Sequence, residues 1–366
     1  MEAFPLSYSD RLFQAAGDDL DVAIHSLPNA RNAESYDGRS ACQGYGTCSP
    51  VCPSGASYSA DVHARKAEDE GARVIDQVPV TRLEHDEDDR VEAAVYVTPD
   101  GEEHRQEARE FVVACGGIET PRLLLLSDSE RYPDGLANSS GAVGRYLMEH
   151  PLVAMGGTLD EPTRQGHVGF TSGGSHEFYE HDDPTPGSFQ LQLFNGVEPL
   201  TVPALADGAW GDDVLATLEH SYGHQVGLMA LVEQLPEERN RVTLDTSTTD
   251  DHGNPVPEIV WDVGTHGTET AERAIEVQRE LLEEMGATIT WEDDPQAPND
   301  GHHPMGTTRM GTDPETSVVD PQLTTHDLEN LSISSSSVFV TGGAANPTLT
   351  IAALTLRLAD HLHDRL

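Results

Sequence analysis

The run Phe111-Val112-Val113-Ala114-Cys115 constrains the fold of this 366-residue chain more than any other stretch. Consecutive apolar residues with β-branched side chains at the centre read as a buried strand. The run stops at Gly116-Gly117 and gives way to a helical segment from Thr120 to Leu126. Taken alone, a strand that ends on glycines and feeds a helix reads as an ordinary strand-to-helix turn, and it is also what is expected where a sheet edge meets a cofactor.

The remaining chain changes texture twice. Residues 1–40 read as polar and partly helical, and 41–58 as a loop rich in Gly, Ser, Pro and Cys that no regular element holds. A short helix is expected around 59–70. Alternating segments, Arg73 to Glu84 and Arg90 to Val97, with a Pro99-Asp100-Gly101 turn, predict a meander of strands. Between 151 and 295 the pattern gives short strands at Phe189–Phe194, Gln225–Leu231 and Glu258–Val263, and a long amphipathic helix from Thr268 to Met285. From Gly301 onward Gly, Pro, Ser and Thr crowd the chain until a closing helix, Leu349 to Leu366, with Leu354, Leu358 and His361 on one face. No internal repeat is present. The expected class is α/β (α+β). The expected division is a first domain over 1–150, a lobe on an antiparallel sheet over 151–300, and a return to the first domain over 301–366.

Charge sets the surface and excludes some partners. Lys and Arg total 21 against 64 Asp and Glu, a formal net charge of −43. Lys66 is the single lysine, and the acids run along the whole length, while Trp210, Trp261, Trp291 and many aliphatic runs argue for a folded chain. Such a surface suits high salt, where counterions screen its self-repulsion. Nucleic acid is excluded as a partner because phosphate binding needs basic patches. No stretch approaches the roughly 18 apolar residues of a membrane span, and the first ten residues lack the basic and apolar segments of a signal peptide. Membrane attachment is expected only through a partner, and the compartment stays open.

The stretch from Gly301 onward holds His302-His303-Pro304-Met305-Gly306-Thr307 and, about forty residues later, Asn346-Pro347-Thr348-Leu349-Thr350. It resembles the C-terminal signature of glucose-methanol-choline (GMC) oxidoreductases along its whole length. The resemblance implies FAD-dependent oxidation of a CH–OH group, with His303 and Asn346 as the catalytic pair over the flavin ring, and an FAD-binding Rossmann-like first domain. The chemistry wants such a pair. An imidazole with a reference pKa near 6.5 can take the hydroxyl proton, while an amide can orient the same oxygen without competing for it. His302 is expected to point elsewhere in an extended chain. Without its partner, a histidine in a Gly-rich loop reads as a solvated or capping residue.

Other segments follow the family in order. Gly116-Gly117-Ile118-Glu119-Thr120-Pro121, followed by Leu123 to Ser127, resembles the second signature, where backbone approaches the flavin. By resemblance Gly116 and Gly117 bind the cofactor, the backbone of Val80 receives the adenine, and Ser335, Ser336, Thr341, Asn346 and Thr348 also contact it. Asn138-Ser139-Ser140-Gly141, Gly144-Arg145 and His150-Pro151 match a segment leading to the substrate lobe. Many family members carry Asp-Gly where this chain has Ser335-Ser336, although the glucose and gluconate dehydrogenase branch commonly shows serines.

Cys42, Cys48 and Cys52 stand in the spacing Cys-x5-Cys-x3-Cys, with Pro53 next. Three soft thiolates in a loop match a 3Fe-4S cluster; zinc held with His63, or disulfides and free thiols, would use the same residues. The loop and its continuation through Pro53-Ser54-Gly55-Ala56, Tyr58 and His63 resemble the catalytic subunit of flavin-dependent glucose dehydrogenases. That resemblance implies a cluster relaying electrons outward, with a small subunit and a cytochrome or another acceptor as partners, and a sugar, polyol or sugar acid as substrate. Cys115 is expected to be a small buried residue beside the flavin.

The 366 residues contain no Gly-x-Gly-x-x-Gly, the phosphate-binding turn on which relatives begin. The expectation is an N-terminally truncated chain whose missing segment lies upstream or in another chain. The rival readings are a cluster-free oxidase or dehydrogenase and an inactive remnant.

Overall fold

The computed structural model describes residues 1–46, 48, 51–163, 171–180, 186–194, 208, 210–221 and 223–366. In chain order its elements are α1 (Tyr8–Asp19), β1 (His25–Ser26), α2 (Asp61–Asp69), β2 (Val80–His85), β3 (Val91–Val97), β4 (Glu103–Glu107), β5 (Phe111–Val113) and α3 (Gly116–Leu126). There follow β6 (Pro151–Thr158), β7 (Thr171–Ser175), β8 (Phe189–Phe194), α4 (Asp212–Ser221), β9 (Gln225–Val232), β10 (Arg241–Thr249), β11 (Pro255–Val260), α5 (Gly264–Glu284), β12 (Thr288–Glu292), β13 (Asn299–Asp300), β14 (Leu331–Ile333) and α6 (Thr348–Arg365).

These form two compact units. One comprises Met1–Val74, Pro151–Val232 and Thr265–Asn299. Its antiparallel sheet runs β1-β7-β8-β9-β6-β12, with β13 also pairing β6. Helix α5 covers it because Ala271, Ala274, Val277, Leu281 and Leu282 repeat at helical spacing, and they pack with Val153, Met155, Leu191 and Leu228 in one core. Helix α1 starts on a capping box: the Ser7 hydroxyl accepts the Asp10 N–H at 3.1 Å, and Asp10 accepts the Ser7 N–H at 2.8 Å. It buries Phe13 and Ala16 in the same core.

The other unit comprises Ile75–His150, Glu233–Gly264 and Asp300–Leu366. Strands β5 and β14 pair in parallel, Phe111 opposite Leu331 and Val113 opposite Ile333. Their side chains join Leu83, Leu124, Val338 and Leu358 in its core. The meander β2-β3-β4 and the hairpin β10-β11 complete it.

The α/β (α+β) expectation and the antiparallel second lobe stand; several boundaries move. Strand β5 ends at Val113, and α3 begins at Gly116, four residues before Thr120. Arg73–Gln77 lies outside any strand, and β2 begins only at Val80. Strand β11 begins at Pro255 and ends at Val260, not at 258–263. Prolines at 255 and 257 hide its start, yet among the described residues β11 pairs only with β10, and such an edge strand tolerates residues without an N–H. The chain crosses between units at 74/75, 150/151, 232/233, 264/265 and 299/300. Residues 1–74 nevertheless group with the large sheet, because β1 pairs β7, and 233–264 group with the α3 side, because Val242 N–H donates to Gly144 O at 2.8 Å.

Candidate active site

The site grows from the turn after β5. Gly116 has φ +73°, a left-handed conformation that glycine adopts without cost, with open space where a side chain would stand. Gly117 is needed for a different reason. A Cβ there would lie 2.4 Å from the carbonyl oxygen of Pro304, so α3 seats directly on the His303 loop. Pro121 supplies no amide hydrogen for the Gly117 carbonyl, and the Thr307 hydroxyl donates to that oxygen at 2.7 Å. The Ser336 hydroxyl donates to Pro304 O at 2.7 Å. Strand end, helix start and His303 loop are thereby one assembly.

His303 is half-buried and fixed from three sides. Its backbone N–H donates to Glu149 Oε2 at 2.8 Å, its Nδ1 lies 2.9 Å from His150 Nδ1, and its Nε2 lies 3.5 Å from Asn346 Nδ2. The His150 and His303 rings meet edge-on at 77°. His150 is 1 % exposed, and its Nε2 lies 2.7 Å from Gly343 O. Burial, and then the charge of His302, lower the His303 pKa below the ordinary histidine value, so the ring is a neutral base at neutrality. Burial, with the His303 charge second, pushes His150 down to about 4. Burial raises Glu149 to about 7 against the pull of the N–H groups of His303 and His150. Glu149 N–H donates to Gln234 Oε1 at 2.8 Å, the same oxygen that accepts the Trp261 indole N–H at 2.9 Å. His302 turns outward with φ +59°, its ring against Asp300.

Asn346 and Thr341 line a groove of about 320 Å3 together with His150, Gly343 and Thr350. At its edge α6 begins without a capping side chain at Pro347 and without an acid in its first turn. Thr348 is its exposed first residue. The positive end of this 18-residue helix favours electron-rich atoms. Val80 lies in another hollow, of about 210 Å3, with Cys115, Glu119, Arg122 and His252. Cys115 is exposed, which corrects its expected burial: the chain has left β5 by that point and caps α3. The hydroxyls of Ser335 and Ser336 are engaged within the fold, Ser335 with Ser337 at 2.5 Å and Ser336 with Pro304. They shape the floor under His303, and both are under one-tenth exposed. Open backbone at Gly116, the groove at Thr341 and Asn346, the start of α6 at Thr348 and the hollow at Val80 are the places where these residues would receive an FAD.

The cysteine loop belongs to the first unit. Cys42, Cys48 and Cys52 are unbridged, half-buried, and line one cleft with Arg31, Tyr45 and Pro53. The Cys42 sulfur accepts the Gly44 N–H at 3.4 Å, and the Cys52 sulfur accepts the Ser57 N–H at 3.5 Å. The Ser54 hydroxyl, then the Ser57 amide, pull the Cys52 thiol down to about 7. Backbone N–H groups aimed at sulfur favour thiolate, the form that ligates iron. Among the described residues no three His, Cys, Asp or Glu side chains are grouped to hold one metal ion. His63 is engaged with the Tyr58 hydroxyl at 2.9 Å. In a cluster each thiolate would bind a different iron, whereas zinc would draw its ligands onto one ion. Among the described residues no helix is long and apolar enough to cross a membrane.

In the sequence His150 stands out only as part of a segment, and Glu149 belongs to no motif. The signal was an acid beside a histidine, Glu149-His150, directly after the apolar Leu147-Met148.

Family models described as GMC oxidoreductase match residues 7–152 and 236–355. The chain is 37% identical over 371 residues to the fructose dehydrogenase large subunit of Gluconobacter japonicus, across 98% of this chain and 66% of that protein. It is 35% identical over 291 residues to 2-methyl-1,2-propanediol dehydrogenase of Mycolicibacterium austroafricanum, across 77% of this chain and 52% of the relative. It therefore spans between about half and two-thirds of their length. Pyridoxine 4-oxidase from Mesorbium loti shares the fold, with a TM-score of 0.67 at 18% identity over 99% of this chain and 71% of that one. The sequence signatures, the loop geometry around His303 and these likenesses converge: the chain belongs to the GMC oxidoreductase family.

Proposed function

We propose that the protein oxidises a CH–OH group of a sugar, polyol or sugar acid, with FAD as its cofactor. The observation that carries this is the convergence of His303 Nε2 and Asn346 Nδ2, 3.5 Å apart. Bound flavin supplies the acceptor for the hydride that leaves carbon. His303 takes the hydroxyl proton on Nε2, breaking O–H as the C=O bond forms, and its lowered pKa keeps it ready for that proton at neutrality. Asn346 donates to the same oxygen and holds it in place. A sugar or polyol is favoured because the fructose dehydrogenase large subunit and a diol dehydrogenase are among the relatives. Cys42, Cys48 and Cys52 would hold a 3Fe-4S cluster, which supplies a one-electron path to an outside acceptor. The subunit character of the fructose enzyme supports a small subunit or cytochrome as that partner.

The test is anaerobic spectroscopy with flavin and iron analysis on the chain supplied with a Gly-x-Gly-x-x-Gly segment and incubated with FAD and iron–sulfide in high salt, the medium that a net charge of −43 calls for. Bound flavin that loses its colour on adding sugars or polyols, with about three irons per chain, is expected. Failure to bind flavin, or bound flavin indifferent to every polyol, contradicts the reading.

A further inference from the structure

The mechanism needs the lone pair of His303 on Nε2, the nitrogen that faces Asn346. We infer that buried His150 is a positioning residue that fixes this tautomer through a one-way chain of hydrogen bonds ending on the Gly343 carbonyl. The inference rests on the proposed base role of His303.

The chain runs from its far end. A carbonyl oxygen only accepts, so His150 Nε2, 2.7 Å from Gly343 O, carries a hydrogen. A neutral imidazole has one N–H, which leaves His150 Nδ1 with a lone pair. That lone pair faces His303 Nδ1 at 2.9 Å. Two lone pairs cannot share such a contact, so His303 Nδ1 carries the hydrogen and donates. Neutral His303 then has its basic site on Nε2. His150 stays neutral because it is 1 % exposed and lies against a second imidazole. Glu149 accepts the backbone N–H of His303 at 2.8 Å and of His150 at 3.2 Å, locking both residues to one carboxyl group. His302 and Asp300 are the other ionisable groups that act on this cluster.

The direction of the chain limits what it can move. When His303 gains the substrate proton on Nε2 it keeps its Nδ1–H, and the bond to His150 becomes charge-assisted and stronger. The proton is not relayed inward, since accepting it on Nδ1 would charge buried His150, whose Nε2 already carries a hydrogen and points at a carbonyl. It must leave by Nε2, on the Asn346 side. His150 is thus a positioning residue and not a proton carrier.

The imidazole nitrogens of the 15N-histidine-labelled full chain, with His303 assigned against His303→Gln, report this without any turnover. At about pH 8, where the ring is neutral, Nδ1 protonated and Nε2 unprotonated are expected. His150→Phe, which removes the acceptor, should give mixed His303 tautomers. His150→Asn, whose carbonyl can still accept from Nδ1–H, should retain the wild-type pattern. In FAD-loaded protein the Phe variant should reduce flavin about 100-fold more slowly, with the Asn variant recovering most of that loss. A protonated Nε2 on wild-type His303 overturns the inference, as does a pattern unchanged in the Phe variant. Failure of the base role itself shows separately, as an intact tautomer pattern in wild type with flavin reduction unaffected by His303→Gln.

Discussion

His303 and the cysteine loop are built on opposite principles. His303 is held by residues far away in the chain: its bonds to Glu149 and His150 span 154 and 153 positions, and His150 reaches 193 further to Gly343. The thiols are held by their own neighbours, Cys42 by Gly44 and Cys52 by Ser54 and Ser57, two to five positions away. The first arrangement exists only when a whole unit is folded, and it fixes one ring to one tautomer. The second needs little beyond the loop, and it tunes sulfur without fixing a rigid ligand set. Proton transfer demands placement of a single atom, whereas a cluster brings its own geometry to soft ligands.

The contrast breaks most visibly at the cysteines. Cys48→Ser should abolish bound iron, from about three per chain to none, and with it electron delivery to an external acceptor, while sugar still reduces the flavin. Iron retained in full by the variant would dissociate these thiols from any cluster. Next in size is the buried acid of the distant network. Glu149 is raised from 4.5 to about 7, so between those values the folded chain keeps a proton that the unfolded chain has lost. Stability falls as pH rises through that window and stays reduced above it. His150, lowered from 6.5 to about 4, acts oppositely, its contribution growing as pH rises from 4 to 6.5. Glu149→Gln removes only the first slope, so in urea unfolding its advantage over wild type should grow from pH 5 to pH 8, to about 3 kcal/mol. An equal difference at both pH values would refute the buried-acid account.

Gly117→Ala should cost about 1–3 kcal/mol, since its Cβ overlaps the Pro304 carbonyl, and an unchanged melting curve would show that α3 is not seated on the His303 loop. The smallest effect belongs to the local design. In iron-free protein Ser54→Ala should move the pH midpoint of Cys52 alkylation upward from about 7, because the hydroxyl that favours thiolate is gone. A midpoint that stays put would place the cause elsewhere.

The same contrast explains what could be read from the chain. Periodicity marks α5 and α6 and the β5-to-α3 junction because each is a local pattern, and the cysteine spacing is visible for the same reason. His303 and Asn346 are legible through a family signature. Glu149 and His150 acquire their importance from partners more than 150 positions away, and no window of sequence contains that contact. Gly117 reads as room for a cofactor, but its missing Cβ makes room for Pro304. Ser335 and Ser336 likewise read as ligand contacts, and their hydroxyls are turned to the fold. Small and polar residues serve packing or binding equally well by composition, and only three-dimensional placement separates the two.

The proposed oxidation depends above all on His303 as the base. Anaerobic stopped-flow mixing of a sugar with FAD-loaded wild type and His303→Ala measures that step alone. Flavin reduction should slow by about 10²–10⁴-fold in the variant while flavin content stays equal. Equal reduction rates in the two proteins would contradict the central assignment.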